Sequence, residues 1–386
     1  MNRPAPSRRE FVRAAATAAI GFPMINRARF AIFPWSRTEY SARCIALLQR
    51  ATVIDMLSPL TLNFPLQAKW NANPETFTQT DFERFRSSGI NVFHTAVGFG
   101  GPDAYQYGLK FFMNGNALIA GREEYFIRID SPGDLDRIKG SGKIGVILGA
   151  QNSDHFQKPE HVAEFYGYGQ RVSQLTYNSR NWIGNGSTER RDEGVSDYGA
   201  TIIERMNKVG MAVDVSHCGD KTSSDAFDLS KKPVLITHSN ARALNPGHPR
   251  CKPDDVIKKV GTAGSVMGIT GVRNFVTQKE PTTIEHLLDH FDYVGKMIGI
   301  EHVGVGSDID LDGYDDMAPE AYKSLKAGYK GSYAFRDKID IDEVAHPKRM
   351  YDLTDGLMKR GYKDDQIEGI VGGNFRRVLK EIWTVS

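Results

Sequence analysis

The chain has 386 residues, of which 40% are hydrophobic, so it is long enough to bury a single large core. This composition argues against a disordered chain and against an integral membrane protein. Its 49 Lys and Arg residues nearly balance its 47 Asp and Glu residues, which leaves no broad basic surface to neutralise a phosphate backbone. We therefore expect a globular protein that does not bind nucleic acid.

The N-terminus has the layout of a twin-arginine export signal. Ser7-Arg8-Arg9-Glu10-Phe11-Val12-Arg13 is followed by the small, apolar run from Ala14 to Ile20. This run is well short of the roughly 20 residues that span a bilayer, so we predict no transmembrane span. We assign residues 1–35 to the signal and a linker, and residues 36–386 to one catalytic domain. The predicted location is the periplasm, with the export machinery as a partner; an amphipathic helix with two exposed arginines is the alternative.

The three cysteines, Cys44, Cys218 and Cys251, are too few and too scattered for a disulfide framework. None of them has the CxxC spacing of a redox or zinc motif. We interpret them as buried or free thiols, and a bridge between Cys218 and Cys251 stays open as an alternative.

Beyond the signal, short apolar runs alternate with longer amphipathic stretches. Repeated βα units around a parallel sheet have this pattern. The runs that we predict as strands are Thr52–Met56, Ile90–Val97, Lys143–Gln151, Val172–Asn178, Met211–His217, Pro233–Ser239, Ser265–Val272 and His302–Asp308. Eight such strands predict an α/β fold, a (β/α)8 TIM barrel.

Helix and loop signals fill the intervals between these strands. Thr80-Asp81-Phe82-Glu83 and Thr282-Thr283-Ile284-Glu285 have the capping-box spacing, which predicts a helix start at each place. The segment from Arg180 to Asp197 is rich in Asn, Gly, Arg and Glu. We predict a long loop there, at the active face of the barrel.

Polar residues cluster at the carboxyl ends of the predicted strands, which form the active face of a (β/α)8 barrel. His217 and His238 end neighbouring strands, and such side chains lie about 5 Å apart, so both imidazoles can converge on one zinc-like cation. Asp308 ends the eighth strand, where a carboxylate can bind a metal or act as general base on a metal-bound water. For each histidine taken alone, a purely structural hydrogen bond is the competing interpretation.

Two further residues are candidates with weaker signals. His94, on the second predicted strand, is explained equally well as a core histidine or as one that supports a metal ligand. Arg250 lies in the loop before the helix that begins near Pro253, and its planar guanidinium suits a substrate carboxylate. A surface arginine at a helix start is the alternative for Arg250.

Several of these residues belong to motifs that follow one another in a fixed order. The motifs are Asp214-Val215-Ser216-His217, Ile236-Thr237-His238-Ser239-Asn240-Ala241-Arg242, His248-Pro249-Arg250, Gly304-Val305-Gly306-Ser307-Asp308 and Gly372-Gly373-Asn374-Phe375-Arg376-Arg377-Val378. From about Val53 to about Val378 the chain resembles the membrane (renal) dipeptidase family, peptidase M19. The resemblance implies a barrel of the metal-dependent hydrolase type, whose two-zinc centre hydrolyses dipeptides and, in some members, β-lactams.

The resemblance also assigns roles to individual residues. His217 and His238 would bind one metal, Arg250 would hold the substrate carboxylate, and Asp308 would be a metal ligand and proton shuttle. Tyr177 stands where the family commonly has a histidine that contacts substrate. We expect Tyr177 to be catalytic, because it or Arg250 can stabilise the oxyanion, and we expect Tyr177 and its neighbour Asn178 to contact the substrate.

The chain departs from the family pattern at other metal ligands. Leu57 and Pro59 stand where the first strand of the family ends in a His-x-Asp pair. Gln151 stands at the position of a bridging glutamate, and a neutral amide offers a metal only one weakly bound carbonyl. The family's two-metal centre should therefore not form. The remaining side chains, His217, His238, Asp308 and Gln151, can still hold one ion with an open position for water.

Three functions follow from this pattern. The leading hypothesis is hydrolysis of a dipeptide or small peptide-like amide by one divalent metal, with zinc as the expected ion. The second is a catalytically inactive barrel that binds a peptide-like ligand. The third is a different metal-dependent chemistry at a His/His/Asp site. The sequence is compatible with a homodimer and does not define the substrate.

Overall fold

The computed structural model describes residues 29–31 and 39–384. The strands are β1 (Arg29–Ala31), β2 (Glu39–Ser41), β3 (Ile54–Asp55), β4 (Val92–Val97), β5 (Phe126–Arg128), β6 (Ile144–Ala150), β7 (Gln170–Gln174), β8 (Ala212–Asp214), β9 (Ile236–Ser239), β10 (Met267–Ile269) and β11 (Val303–Val305). Each of the eight predicted strands is present. The predicted export signal lies outside the described residues, and the domain boundary at residue 35 stays a prediction.

The helices alternate with these strands. They are α1 (Ala42–Arg50), α2 (Phe64–Ala72), α3 (Gln79–Ser87), α4 (Ala104–Gly121), α5 (Pro132–Ser141), α6 (His161–Gly167), α7 (Asp197–Val209), α8 (Asp220–Leu229), α9 (Asp254–Thr262), α10 (Arg273–Val276), α11 (Ile284–Ile298), α12 (Pro319–Ala327), α13 (Arg349–Lys359), α14 (Asp364–Glu368) and α15 (Asn374–Trp383). Among the described helices, none combines the length and the apolar composition that a bilayer crossing requires.

The barrel strands run parallel in the order β3-β4-β6-β7-β8 and β9-β10-β11. Two seams join these groups into one barrel. At the first seam, Val215 N–H donates to Leu235 O at 3.0 Å and Leu235 N–H donates to Val213 O at 2.8 Å. At the second, Met56 N–H donates to Val305 O at 2.9 Å. The predicted (β/α)8 barrel is therefore confirmed.

The last helix closes the amino-terminal end of the barrel. α15 buries Phe375, Val378, Leu379 and Ile382 completely, in a cluster with apolar residues from the barrel strands. Burying one such side chain fully on folding adds about 1.5–3 kcal/mol to the free energy of unfolding. Because this end is filled with apolar side chains, the polar site lies at the carboxyl ends of the strands.

The Gly-Gly-Asn motif before α15 has a packing role. A Cβ on Gly372 would collide with the backbone of Thr52, so only glycine lets this turn approach the start of the first barrel strand. Asn374 Nδ2 donates to Ile300 O at 2.9 Å and to Val303 O at 2.8 Å, at the entry to β11. The motif therefore ties the C-terminal helix to two barrel strands.

Local details differ from the sequence prediction. Thr78, and not Thr80, caps α3, because Thr78 and Asp81 form the reciprocal pair of hydrogen bonds. Thr283, one residue later than predicted, precedes α11, with His286 Nδ1 accepting from its N–H at 3.2 Å. β5 was not predicted; it pairs in parallel with β6 outside the ring of barrel strands.

Candidate metal centre and active site

His217 and His238 meet at the carboxyl end of the barrel. Their exposed fractions are 1% and 0%, and their Nε2 atoms lie 3.0 Å apart. The imidazole centroids are 5.0 Å apart. The structure therefore brings together the two histidines that the sequence singled out.

The other ring nitrogen of each histidine has a partner that fixes the tautomer. His217 Nδ1 lies 2.8 Å from Asn178 Oδ1, which can only accept, so this nitrogen carries a proton. His238 Nδ1 lies 2.9 Å from Thr237 Oγ1, whose own hydrogen is donated to Asp214 Oδ2 at 2.5 Å. His238 Nδ1 is therefore also a donor.

Two Nε2 lone pairs consequently face each other. Burial lowers the pKa of His217 and His238 well below 6.5, and the nearby Arg250 guanidinium lowers both further. Both rings are therefore neutral at neutral pH. Zinc–imidazole bonds are about 2.0–2.1 Å long, so one cation can contact two nitrogens at this separation and relieve their repulsion.

Asp308 is half-buried at the end of the eighth barrel strand. Its backbone has φ 60, a left-handed conformation that aspartate tolerates, and its N–H donates to Leu57 O at 2.8 Å. Burial raises the pKa of the carboxyl to about 7, with Asp55 adding to the rise and Arg250 opposing it. No described residue hydrogen-bonds to this carboxylate.

The structure does not bring Asp308 into direct contact with both histidines. Within the described ranges, no three His, Cys, Asp or Glu side chains converge on one point that could hold a metal. Gln151, the other predicted ligand, donates from Nε2 to Ala96 O at 3.0 Å. The geometry therefore provides a pair of imidazoles, with a carboxylate in the same region.

The end of the first barrel strand, where the sequence predicts that the metal ligands of the family are replaced, is packed against other parts of the barrel. Leu57 is fully buried. Between Leu57 and Pro59, the hydroxyl of Ser58 donates to Ile309 O at 2.8 Å and accepts from Arg349 Nη2 at 3.0 Å. Apolar packing and a guanidinium thus occupy this strand end.

Arg250 is completely buried and bound to the backbone. Its Nη1 donates to Ser216 O and its Nη2 donates to His238 O at 3.3 Å. The guanidinium lies 4.9 Å from the ring centroid of Phe275. Its predicted contact with a substrate carboxylate stays a prediction, and the described contacts hold the backbone beside both histidines.

Lys252 is a supporting residue that sequence reasoning missed. It is 1% exposed, and its Nζ donates to Val215 O and Cys218 O, each at 2.7 Å, and to Ser223 Oγ at 3.0 Å. Burial lowers its pKa to about 8. Since the two carbonyls flank the Ser216-His217 pair, Lys252 fixes the loop that presents His217. Its only sequence signal was its place two residues after Arg250.

Tyrosines cover the histidine pair. The Tyr177 ring stacks on His217 with centroids 4.1 Å apart, and its hydroxyl hydrogen-bonds to the hydroxyl of Tyr329. Tyr333 lies beside Tyr329, with centroids 4.4 Å apart. Burial is the main reason that the pKa of Tyr177 lies well above 10, and Asp308 contributes. Tyr329 and Tyr333 come from the segment between β11 and α13, and sequence reasoning did not find them.

Asn178 contacts His217 directly, whereas His94, on β4, is buried against Gly149 of β6. The Asn178 backbone is left-handed, with φ 54, and its side chain orients His217, whereas the sequence assigned it to the substrate. His94 Nδ1 lies 2.6 Å from Met56 O, and its buried Nε2 has no partner among the described residues. A Cβ on Gly149 would collide with this ring, so the glycine makes room for it.

The three cysteines are buried and form no disulfide, so the alternative of a Cys218–Cys251 bridge is wrong for this structure. Burial raises the pKa of the Cys251 thiol to about 12. Burial also raises the pKa of the Cys218 thiol, so neither Cys218 nor Cys251 is activated as a nucleophile or a metal ligand.

The barrel agrees with comparisons to known proteins. The family model for membrane dipeptidase, peptidase family M19, matches residues 41–326. The chain therefore belongs to the membrane dipeptidase family, a family of dipeptidase-like hydrolases.

Relatives and solved structures agree with this assignment. The chain is 31% identical over 254 residues to dipeptidase verJ of Clonostachys rogersoniana, covering 64% of this chain and 57% of that protein. It is 30% identical over 258 residues to dipeptidase tcpJ of Claviceps purpurea, covering 66% and 54%. The matched part thus spans little more than half of these relatives. An amidohydrolase from Pseudomonas aeruginosa superposes with a TM-score of 0.76 at 28% identity, covering 88% of this chain and 99% of that chain.

A more distant neighbour shares the fold. A metallo peptidase from Rhodobacter sphaeroides, solved with a phosphinate mimic of the dipeptide L-Ala-D-Ala, superposes with a TM-score of 0.71 at 16% identity. The superposition covers 86% of this chain and 99% of that chain.

Proposed function

We propose that the protein is a metal-dependent hydrolase of a dipeptide or small peptide-like amide, and that it works with one divalent ion, zinc, instead of two. The observation that carries the proposal is the pair of Nε2 atoms 3.0 Å apart, each on a ring whose Nδ1 is already a donor. Two buried lone pairs in this arrangement suit a cation and have no other described partner.

Unpartnered polar atoms around the imidazoles support a ligand site. They are Gln174 Nε2, Asn178 Nδ2 and Arg250 Nε, each buried without a hydrogen-bond partner among the described residues, on side chains that bond to His217 or to the backbone beside the pair. Folded proteins leave few such atoms, so several on residues that contact the histidine pair support a place for water or a polar ligand there.

The side chains divide the chemistry between them. His217 and His238 would hold the ion, which when bound polarises the amide carbonyl and acidifies water. The Asp308 carboxyl, with a pKa of about 7, can accept a proton from the attacking water and return it to the leaving amine. The Tyr177 phenol keeps its proton at neutral pH and can donate a hydrogen bond to the substrate oxygen.

The proposal of a single ion rests on the replaced ligands. Leu57 and Pro59 offer no donor atom for a metal, and Gln151 cannot supply the negative charge that bridges two cations. The ion would therefore have a neutral ligand pair, and Asp308 would be the carboxylate that serves the reaction.

Binding without turnover is the second candidate. It is favoured by the absence of a three-residue ligand set among the described residues. In that case a peptide-like compound would occupy the pocket, and Asp308 would serve only as its hydrogen-bond partner.

We also propose that the protein is exported to the periplasm, on the twin-arginine layout of residues 7–23.

Elemental analysis of the exported protein, produced with its signal intact, tests the proposal. We expect about one zinc per chain and hydrolysis of members of a dipeptide panel that a chelator abolishes and added zinc restores. His238→Gln should lose both the metal and the activity. His346→Gln, a change at a partly exposed histidine far along the chain from the pair, is the matched control.

The outcomes separate the candidates. Stabilisation by dipeptides without turnover, and without dependence on a chelator, would favour the binding protein. Two tightly bound ions per chain would contradict the single-ion proposal. Metal-free protein with no hydrolysis in the presence of zinc would overturn the hydrolase assignment.

A further inference from the structure

A groove leads away from Tyr177 across the active face. Its inner part has a volume of about 340 Å³ and is lined by Gly98, Asn152, Tyr177 and neighbouring residues. Its outer part has a volume of about 900 Å³ and ends at Trp182. Gly101, Asp154, Arg180 and Asn181 line both parts, so the groove is continuous. The outer part alone is near the upper end of the size range of small-molecule sites.

Trp182 presents an indole to this groove that is 79% exposed. The loop around it is nevertheless fixed. Ser196 Oγ donates to Trp182 O at 2.5 Å, and Asn181 Nδ2 donates to Leu175 O at 2.7 Å. Asn181 Oδ1 accepts from Ile183 N–H at 2.8 Å. The ring is thus held out on an ordered loop, where it can stack on a ligand at low entropic cost.

Opposite charges lie along the same groove. Arg180 Nε donates to Asn185 Oδ1 at 2.7 Å, and the described residues supply no partner for its two terminal nitrogens. The Asp154 carboxylate accepts from Asn152 Nδ2 at 3.2 Å. A cation and an anion at fixed places suit a ligand with peptide-like polar groups, and the planar guanidinium suits a carboxylate.

We infer that this groove holds the part of the substrate that lies away from the cleaved amide, with a flat aromatic ring against Trp182 and a carboxylate at Arg180. The substrate class is therefore a peptide-like amide larger than a plain dipeptide and carrying an aromatic group. The inference rests on the proposed function, because it takes the amide to lie at the histidine pair. It goes further by defining what surrounds that amide.

Binding measurements test the inference separately from turnover. The probes are L-Ala-L-Ala and two derivatives, one acylated on its amine with 2-naphthoic acid and one extended at its carboxyl end with 2-naphthylalanine. We expect at least one naphthyl probe to bind the full-length protein about ten-fold more tightly than the plain dipeptide in calorimetry. Trp182→Ala should abolish this gain in affinity, and Trp182→Phe should retain most of it. Arg180→Met should weaken binding of the naphthoyl probe, which has a carboxylate and no charged amine, about three-fold or more.

Phe64→Ala is the matched control, because Phe64 is an aromatic residue that is 49% exposed and lies outside the groove. It should leave probe binding unchanged. Sedimentation of each variant checks the oligomeric state. If Trp182→Ala leaves the gain in affinity intact, the inference is overturned. If that variant also sediments as a smaller species, Trp182 contacts a second copy of the chain and not the ligand. If the gain depends on Trp182 but no probe is ever hydrolysed, the groove stands and the proposed hydrolase function fails.

Discussion

Arg349 forms a buried ion pair with Asp55, in which Nη2 lies 3.0 Å from Oδ2 and both side chains are almost fully enclosed. Asp55 also accepts from Ser307 N–H at 2.8 Å and from Ser307 Oγ at 2.6 Å. Arg349 Nη1 donates to Asp310 O at 2.7 Å. This network joins the ends of the first and last barrel strands to α13, directly beside Asp308.

Arg349→Met should therefore destabilise the protein. Removing one partner leaves the Asp55 carboxylate buried without its counter-ion, which costs about 3–5 kcal/mol. Urea unfolding at pH 7 measures the change. The double variant D55N/R349M should recover part of the loss, because no buried charge remains. This account would be contradicted if the double variant lost more unfolding free energy than the two single variants lose when their losses are added.

Thr237→Val should weaken metal binding by about 10- to 100-fold, because the acceptor for His238 Nδ1 is lost and the ring is no longer held in the required tautomer. Competition with a chromophoric zinc chelator measures the affinity. The control is Thr262→Val, a change at an exposed threonine on α9. Equal zinc affinity in Thr237→Val and the unmodified protein would show that the hydroxyl does not orient His238.

The barrel and the histidine pair could be predicted because their signals are local. Apolar runs identify the strands, and His217 and His238 end two runs that are neighbours in any (β/α)8 barrel. Arg349 could not be placed in this way, since it lies 294 residues from Asp55 and only the closed barrel brings them together. The same holds for Tyr329, whose contact with Tyr177 spans 152 residues.

The direction of individual side chains could not be predicted from the sequence. The motif suggested a common point for Asp308 and the histidines, yet no three-residue ligand set forms among the described residues, and Asp308 has a left-handed backbone whose N–H donates to Leu57 O. Likewise Asn178 turns toward His217 instead of the open pocket. Sequence order fixes which strand a residue ends, but loop geometry after the strand decides where its side chain points.

Tyr329→Phe should lower KM by up to about five-fold, because the Tyr177 hydroxyl can then bond to substrate instead of to Tyr329, and a typical bond of this kind contributes about 1 kcal/mol. The value of kcat should change less. Initial-rate kinetics on the best dipeptide of the panel give both constants. Tyr322→Phe, in the same segment but directed to the backbone of Arg336 and Asp337, should leave KM unchanged. A higher KM for Tyr329→Phe would indicate that this hydroxyl binds substrate.

Stability should fall in mild acid because of buried neutral histidines such as His290. Its Nε2 donates to Val276 O at 2.7 Å and its Nδ1 accepts from Ala241 N–H at 3.2 Å, and burial lowers its pKa from 6.5 to about 4. Between these values only the unfolded chain binds the proton, so stability rises with pH across this window and is fully present above it.

The full effect of His290 is about 3 kcal/mol, lost as the pH falls from 6.5 through 4. His290→Gln keeps a donor and an acceptor but cannot titrate. Urea unfolding of this variant at several pH values should show a shallower slope, by up to about 1.4 kcal/mol per pH unit. Parallel curves for the variant and the unmodified protein would contradict the prediction.

The tyrosines over the histidine pair, apart from Tyr177, come from the single stretch of chain between β11 and α13. The barrel seams and the hydrogen bonds that orient both imidazoles come from other parts of the chain. A change in this one stretch can therefore alter which molecules reach the histidine pair while His217 and His238 keep their positions. Two proteins that share this histidine pair can therefore differ in substrate, and selectivity can evolve by exchange of the segment between β11 and α13.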